Sequence, residues 1–111
     1  MESKEIVSGL MQELRRGTLI LLVLTCLKEP TYGYSLIKIL EENGITIEAN
    51  TLYPLMRRLE SQGLLQSQWD TSEGKPRKYY LRTPLGSEVY AQTQAAWQAF
   101  TQNVNKLMEG E

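Results

Sequence analysis

Asn50, Thr51, Tyr53, Arg57 and Arg58 lie off one face of a short segment whose Leu52, Leu55, Met56 and Leu59 recur at helical spacing. A helix built this way docks its apolar face on a domain and presents the rest. Amide and guanidinium groups match base edges in a major groove, hydroxyl and phenol groups match phosphate, and a helix N-terminus favours anions. Further along, Lys75, Arg77 and Lys78 gather positive charge on a turn shaped by Gly74 and Pro76, suited to phosphates or a minor groove. The chemistry is recognition of a polyanion rather than bond making. With no histidine, no paired-carboxylate motif and no phosphate-cradling glycine loop, there is no constellation for catalysis. No cofactor and no metal are expected. A solvated helix face and a soluble hairpin tip are the plainer readings of these side chains, and their adjacency favours contact with DNA.

The surrounding elements give those side chains a frame. Gly63 stops the helix, and 64–69 and 78–83 have the aromatic content and partial alternation of two paired strands, with 70–77 as the link. Helix, strand, basic tip and strand in that order read as a winged helix-turn-helix. Upstream, helix one is expected over Glu5–Leu27, with Ile6, Leu10, Leu14, Leu21 and Leu24 on one stripe. Pro30 ends it, and Thr31 or a neighbour caps helix two, Tyr32–Asn43. Ile45-Thr46-Ile47 alternates in strand fashion. The last helix runs from Pro84, at a first-turn position, to about Met108. Its Tyr90, Thr93, Trp97, Phe100, Val104 and Leu107 form a three-then-four seam suited to another helix. One protomer has too little surface to cover that seam, so a homodimer is expected in which helix four meets helix one, through Leu10 and Leu14, and helix four of the partner. The fold class is mainly α with a small β-wing: one domain over 1–111, winged over about 5–83, with a dimerisation helix over about 84–109.

The chain has 111 residues and a net charge of −1, modest for a nucleic-acid binder, but the charge is unevenly placed. Residues 51–84 carry six basic against three acidic side chains, net +3, while 1–14 and 85–111 are each −2. Positive charge lies where phosphate would approach. Cys26 is the one cysteine, within an apolar run, and reads as a small buried hydrophobe. No secretory leader pattern is present, and the run from Leu19 to Leu27 is too short to span a bilayer, so the expected location is the cytoplasm. Arg15 and Arg16 read as a coat for helix one or support for the dimer. Arg58 reads as a partner for acidic neighbours on its own helix, and Trp69 as ordinary strand packing.

Taken together, Leu14-Arg15-Arg16-Gly17-Thr18, Tyr32-Gly33-Tyr34, the stretch from Thr51 to Glu60 and the stretch from Gly74 to Tyr80 resemble the PadR family of bacterial transcriptional regulators. That resemblance implies a dimeric winged-helix repressor of transport, detoxification or stress genes, bound to a pseudo-palindromic double-stranded operator. It suggests a backbone-phosphate contact from Tyr34. The single C-terminal helix is similar to the smaller PadR-like subgroup with multidrug-sensing repressors, which implies that Trp97 faces its dimer mate across a central pore and stacks on planar hydrophobic ligands. The chain departs from the family at Glu48-Ala49-Asn50, where many relatives carry Ser-Pro-Gly. Two other readings stand beside the ligand-released repressor: a winged-helix protein-interaction module with feeble DNA binding, and a repressor whose seam closes around Trp97 and answers to no small molecule.

Overall fold

The structure, a computed structural model, describes residues 2–110. Its elements are α1 (Ser3–Cys26), β1 (Thr31–Tyr32), α2 (Gly33–Glu42), α3 (Ala49–Ser61), β2 (Leu65–Asp70), β3 (Arg77–Arg82) and α4 (Pro84–Glu109). The three strands form an antiparallel sheet in the order β1-β3-β2. Mainly helical with a small three-stranded sheet, it is a winged helix. Among the described residues, no helix is long and apolar enough to cross a membrane.

One small core ties the winged part together. Leu19, Val23, Leu24 and Leu27 from the second half of α1 meet Leu36 and Leu40 of α2, Leu52, Met56 and Leu59 of α3, Leu65 of β2 and Tyr80 of β3. The first half of α1 and nearly all of α4 stay outside it, Gly86 being the one buried residue of α4. The radius of gyration is therefore 16.5 Å, against about 13 Å for a compact chain of this length.

Turn chemistry explains the joints. Gly44 and Gly63 both adopt φ +80°, the left-handed C′ position that closes a helix. After Gly44 the Ile45 N–H bonds the Leu40 carbonyl at 2.8 Å, and after Gly63 the Leu64 N–H bonds the Leu59 carbonyl at 3.0 Å.

Five expectations are corrected here. Residues 45–48 form no strand; Ile45 and Ile47 alternate because both pack on the core across an irregular connection. The extra strand is instead Thr31–Tyr32, which pairs with Tyr80 and Tyr79, so α2 begins one residue later than expected. Thr31 does not cap it: its hydroxyl donates to the Glu29 carbonyl. The wing strands, 65–70 and 77–82, lie one residue off the expected ranges, and α1 ends at Cys26, ahead of Pro30.

Candidate nucleic-acid interface

The expected contact residues sit on three elements, α2, α3 and the wing, with Thr51 beside Glu48, Arg15 and Arg16 in a groove against α1. Asn50, Thr51 and Arg57 are exposed on α3. No side chain caps that helix at Glu48; the Thr51 and Leu52 N–H groups donate to the Glu48 carbonyl, which leaves the Ala49 and Asn50 amides for an outside acceptor. Pro54 lies inside the helix and has no N–H to bond the Asn50 carbonyl one turn back.

Tyr34, Tyr53, Arg77 and Lys78 converge, with Gly33, Pro76 and Tyr80, around one groove of about 300 Å³ between α2, α3 and the wing. Gly33 makes the convergence possible. A Cβ there would lie 2.7 Å from Tyr53 Cε1, inside contact distance, so only hydrogen lets α3 approach the start of α2 this closely. The Tyr-Gly-Tyr motif thus has a packing reason at its centre and exposed chemistry at Tyr34. Lys75 is exposed in the wing between the strands, beside Gly74 at φ +83°.

Arg77 is held in a cluster that spacing alone did not reveal. The Tyr32 and Tyr34 rings stack in parallel, 5.7 Å apart at 5°. The Arg77 guanidinium lies 5.6 Å from the Tyr32 ring centre, its Nη1 donates to the Tyr34 hydroxyl at 3.4 Å, and its Nη2 is 3.6 Å from Glu73. Beneath it, the Tyr32 hydroxyl donates to Asp70 Oδ2 at 2.7 Å, while the Ser72 N–H and hydroxyl donate to Oδ1. The Ser72 donors, then the Tyr32 hydroxyl, hold the Asp70 carboxyl down at about 2, and the same bond raises the Tyr32 phenol. A carboxyl depressed on folding supports the wing above its ordinary range and loses that support only as the pH falls toward 2. At neutral pH this buttress is fully in place.

Lys78 is differently engaged. Its ammonium lies 3.9 Å from Glu60 on α3 and over the Tyr80 and Trp69 rings, and Glu60 also accepts from the Ser67 hydroxyl. It links the wing to α3 as well as contributing charge. Trp69 corrects the packing expectation: it is 63% exposed and belongs to no part of the core, because the wing reaches past the last core layer. Arg58 is exposed on α3, with no acidic partner among the described residues. Cys26 is partly rather than fully buried, and that burial raises its thiol.

At the far end of β3, Arg82 places its guanidinium 4.4 Å over the Tyr90 ring of α4, with Nε and Nη1 buried and unbonded. The Tyr90 hydroxyl accepts from Thr25 of α1 at 3.3 Å. Tyr90, expected on the dimer seam, thus already has partners within its own protomer. The remaining seam residues are open: Trp97 is 38% and Phe100 59% exposed, with ring centres 6.1 Å apart. Leu107, Leu10 and Leu14 are exposed, and Thr93 and Val104 half-buried.

Comparison with known proteins bears on this geometry. The profile of the Transcriptional regulator PadR-like family matches residues 20–92. A crystallised PadR family transcriptional regulator from Eggerthella lenta is 56% identical, with 97% of this chain and 96% of that one covered and a TM-score of 0.92. A PadR-like transcriptional regulator from Bacillus cereus is 28% identical, with 89% and 99% covered and a TM-score of 0.78. Transcriptional regulator Rv3488 of Mycobacterium tuberculosis is 32% identical over 73 residues, 66% of this chain and 68% of that protein. The exposed polar edge of α3, the groove beneath the wing and these likenesses agree: the chain belongs to the PadR-like family of DNA-binding transcriptional regulators.

Proposed function

We propose that the protein is a cytoplasmic homodimeric repressor that holds a pseudo-palindromic operator and leaves it when a planar hydrophobic ligand binds between the protomers. In this reading Asn50, Thr51 and Arg57 enter a major groove. Tyr34, Tyr53, Lys75, Arg77 and Lys78 take the flanking phosphates, and two copies of α3 lie about 34 Å apart on one DNA face. The observation that carries it is the apolar surface left outside the core. Ile6, Val7, Leu10, Met11 and Leu14 of α1 and Trp97, Phe100, Leu107 and Met108 of α4 are all exposed in the protomer, an amount of apolar surface that a second copy would cover. The chain is one domain in this account, winged over about 5–83 with α4 as the dimerisation helix. Trp97 beside Phe100 supports a stacking platform, since offset and tilted aromatic faces hold planar ligands well.

The test joins mass, DNA and ligand. Sedimentation should return twice the 12.7 kDa chain mass. Fluorescence anisotropy on a duplex selected by the protein from a random library should show salt-steep, competitor-resistant binding. Members of a panel of planar aromatic compounds should weaken that binding on the order of tenfold, and DNA should weaken the same compounds equally. Trp97→Ala should abolish this effect; a response that survives the substitution removes Trp97 from the ligand site.

Glu73 adds a smaller prediction. Its carboxylate competes with phosphate for Arg77, so Glu73→Gln should tighten duplex binding about twofold at low salt, with the gain fading as salt rises. Weaker binding of that variant would mean that Glu73 holds Arg77 in its useful position.

A further inference from the structure

Trp69 is the largest side chain that the fold leaves idle. It lies on β2 directly opposite Lys78, one residue before the wing strand ends, and takes no part in the core. Alternation along β2 puts Leu65, Ser67 and Trp69 on one face. Leu65 is buried and Ser67 donates to Glu60 of α3, so this is the face turned toward α3. The Lys78 ammonium fixes the ring's place: it is 5.8 Å from the Trp69 ring and 3.9 Å from the Glu60 carboxylate. Glu60 follows Arg57 by three positions, which puts the two on neighbouring turns of one helix side. Trp69 therefore stands on the α3-facing side of the wing, with the Lys78 ammonium beside its ring and Glu60 beside that ammonium.

We propose that Trp69 is a DNA-backbone contact, laying its indole against a deoxyribose and donating its Nε1–H to a phosphate oxygen beside the groove that α3 enters. This rests on the reading of α3 and the wing as the DNA-facing elements. A flat ring with one donor fits a sugar–phosphate unit, which offers an apolar face next to an acceptor. Lys78 orients the ring from one side by cation–π attraction and adds positive charge where the phosphate would lie. The contact positions the hairpin and reads no base. It carries no formal charge, so it contributes affinity without contributing to the salt dependence.

The chain has two tryptophans, Trp69 and Trp97, so uniform 5-fluorotryptophan labelling gives two fluorine resonances, assigned with Trp69→Phe. On adding a duplex that the protein has selected from a random library, the Trp69 resonance should shift and lose most of its H₂O/D₂O isotope effect. Trp69→Ala should weaken that duplex about tenfold, with an unchanged melting temperature and an unchanged slope of affinity against salt, and Trp69→Phe should recover part of the loss. A Trp69 resonance that stays where it is in the free protein overturns the proposal, as does wild-type affinity in Trp69→Ala. A salt slope lowered in Trp69→Ala also overturns it, because the loss then belongs to Lys78. If the wild-type chain selects no duplex, this inference and the operator-binding reading fall together; if it binds while Trp69 stays silent, only this one does.

Discussion

Replacing Arg77 by alanine is expected to weaken binding to a selected duplex about a hundredfold near 0.15 M salt, and to lower the slope of log affinity against log salt by about two. The proposed dimer would carry two copies, and a charged hydrogen bond to phosphate contributes roughly 1.5 kcal/mol, so the pair amounts to about 3 kcal/mol. Arg77 also touches Tyr32, Tyr34 and Glu73, so its loss releases the start of α2 from the wing as well. Arg77→Lys separates the two roles. It keeps the charge, and hence the salt slope, but loses the planar fork and the ring contact; an affinity between wild type and alanine is expected. Anisotropy titrations at several salt concentrations check all three proteins. An Arg77→Ala slope equal to wild type would reduce Arg77 to a strut of the hairpin.

Gly86→Ala should be the most damaging single methyl in the chain. A Cβ at Gly86 would lie 2.0 Å from the Leu64 carbonyl oxygen, 2.9 Å from its carbon and 3.3 Å from Cα. Backbone on both sides prevents either element from yielding. The Leu64 carbonyl accepts the Thr83 N–H at 3.1 Å, while the Thr83 hydroxyl donates to the Gly63 carbonyl and accepts the Gly86 N–H. Overpacking of this kind should remove about 3 kcal/mol, a fall in melting temperature of about 12 °C at fixed protein concentration. Gly9→Ala, also helical but with nothing within 4 Å, should instead gain about 0.5–1 kcal/mol. Parallel thermal melts decide it: equal midpoints for Gly86→Ala and wild type would show that α4 is not seated on Leu64.

The helices and the wing were legible because their signals are local. Leu52, Met56 and Leu59 repeat at helical spacing and are all buried, and Gly63 stops α3 at a positive φ. What escaped is of two kinds. Thr31–Tyr32 is a strand of two residues, too short for any period to register, and its pairing with β3 is decided by tertiary approach. Ile45 and Ile47 produced the opposite error, since two anchors separated by one residue imitate a strand. The wing strands slipped by one because Leu64 and Thr83 are apolar or β-branched in the manner of their neighbours, while the hydrogen bonds that end the ladder involve Gly63 and Gly86. The site was legible as a set of residue types but not as contacts. Tyr32 and Asp70 are 38 residues apart and meet only once the sheet forms. Trp69 looked like core because aromatic residues in strands usually are; only the reach of the wing end of β2 past the core at Leu65 shows otherwise.

The two joints of α4 differ mechanically. At the Thr83–Gly86 knot the helix is fastened by short directional hydrogen bonds and close backbone contact, whereas at Tyr90 it rests on the flat face of the Arg82 guanidinium and accepts one long bond from Thr25. Ring and guanidinium attract over a broad range of angles, so the first joint acts as a pin and the second as a bearing. The helix has 26 residues and is about 39 Å long, so a swing of about 5° at the pin carries its far end about 3 Å. Such a lever costs at most the long Thr25–Tyr90 bond, and it converts a small tilt at the fastened end into a displacement as large as an atom at the free one.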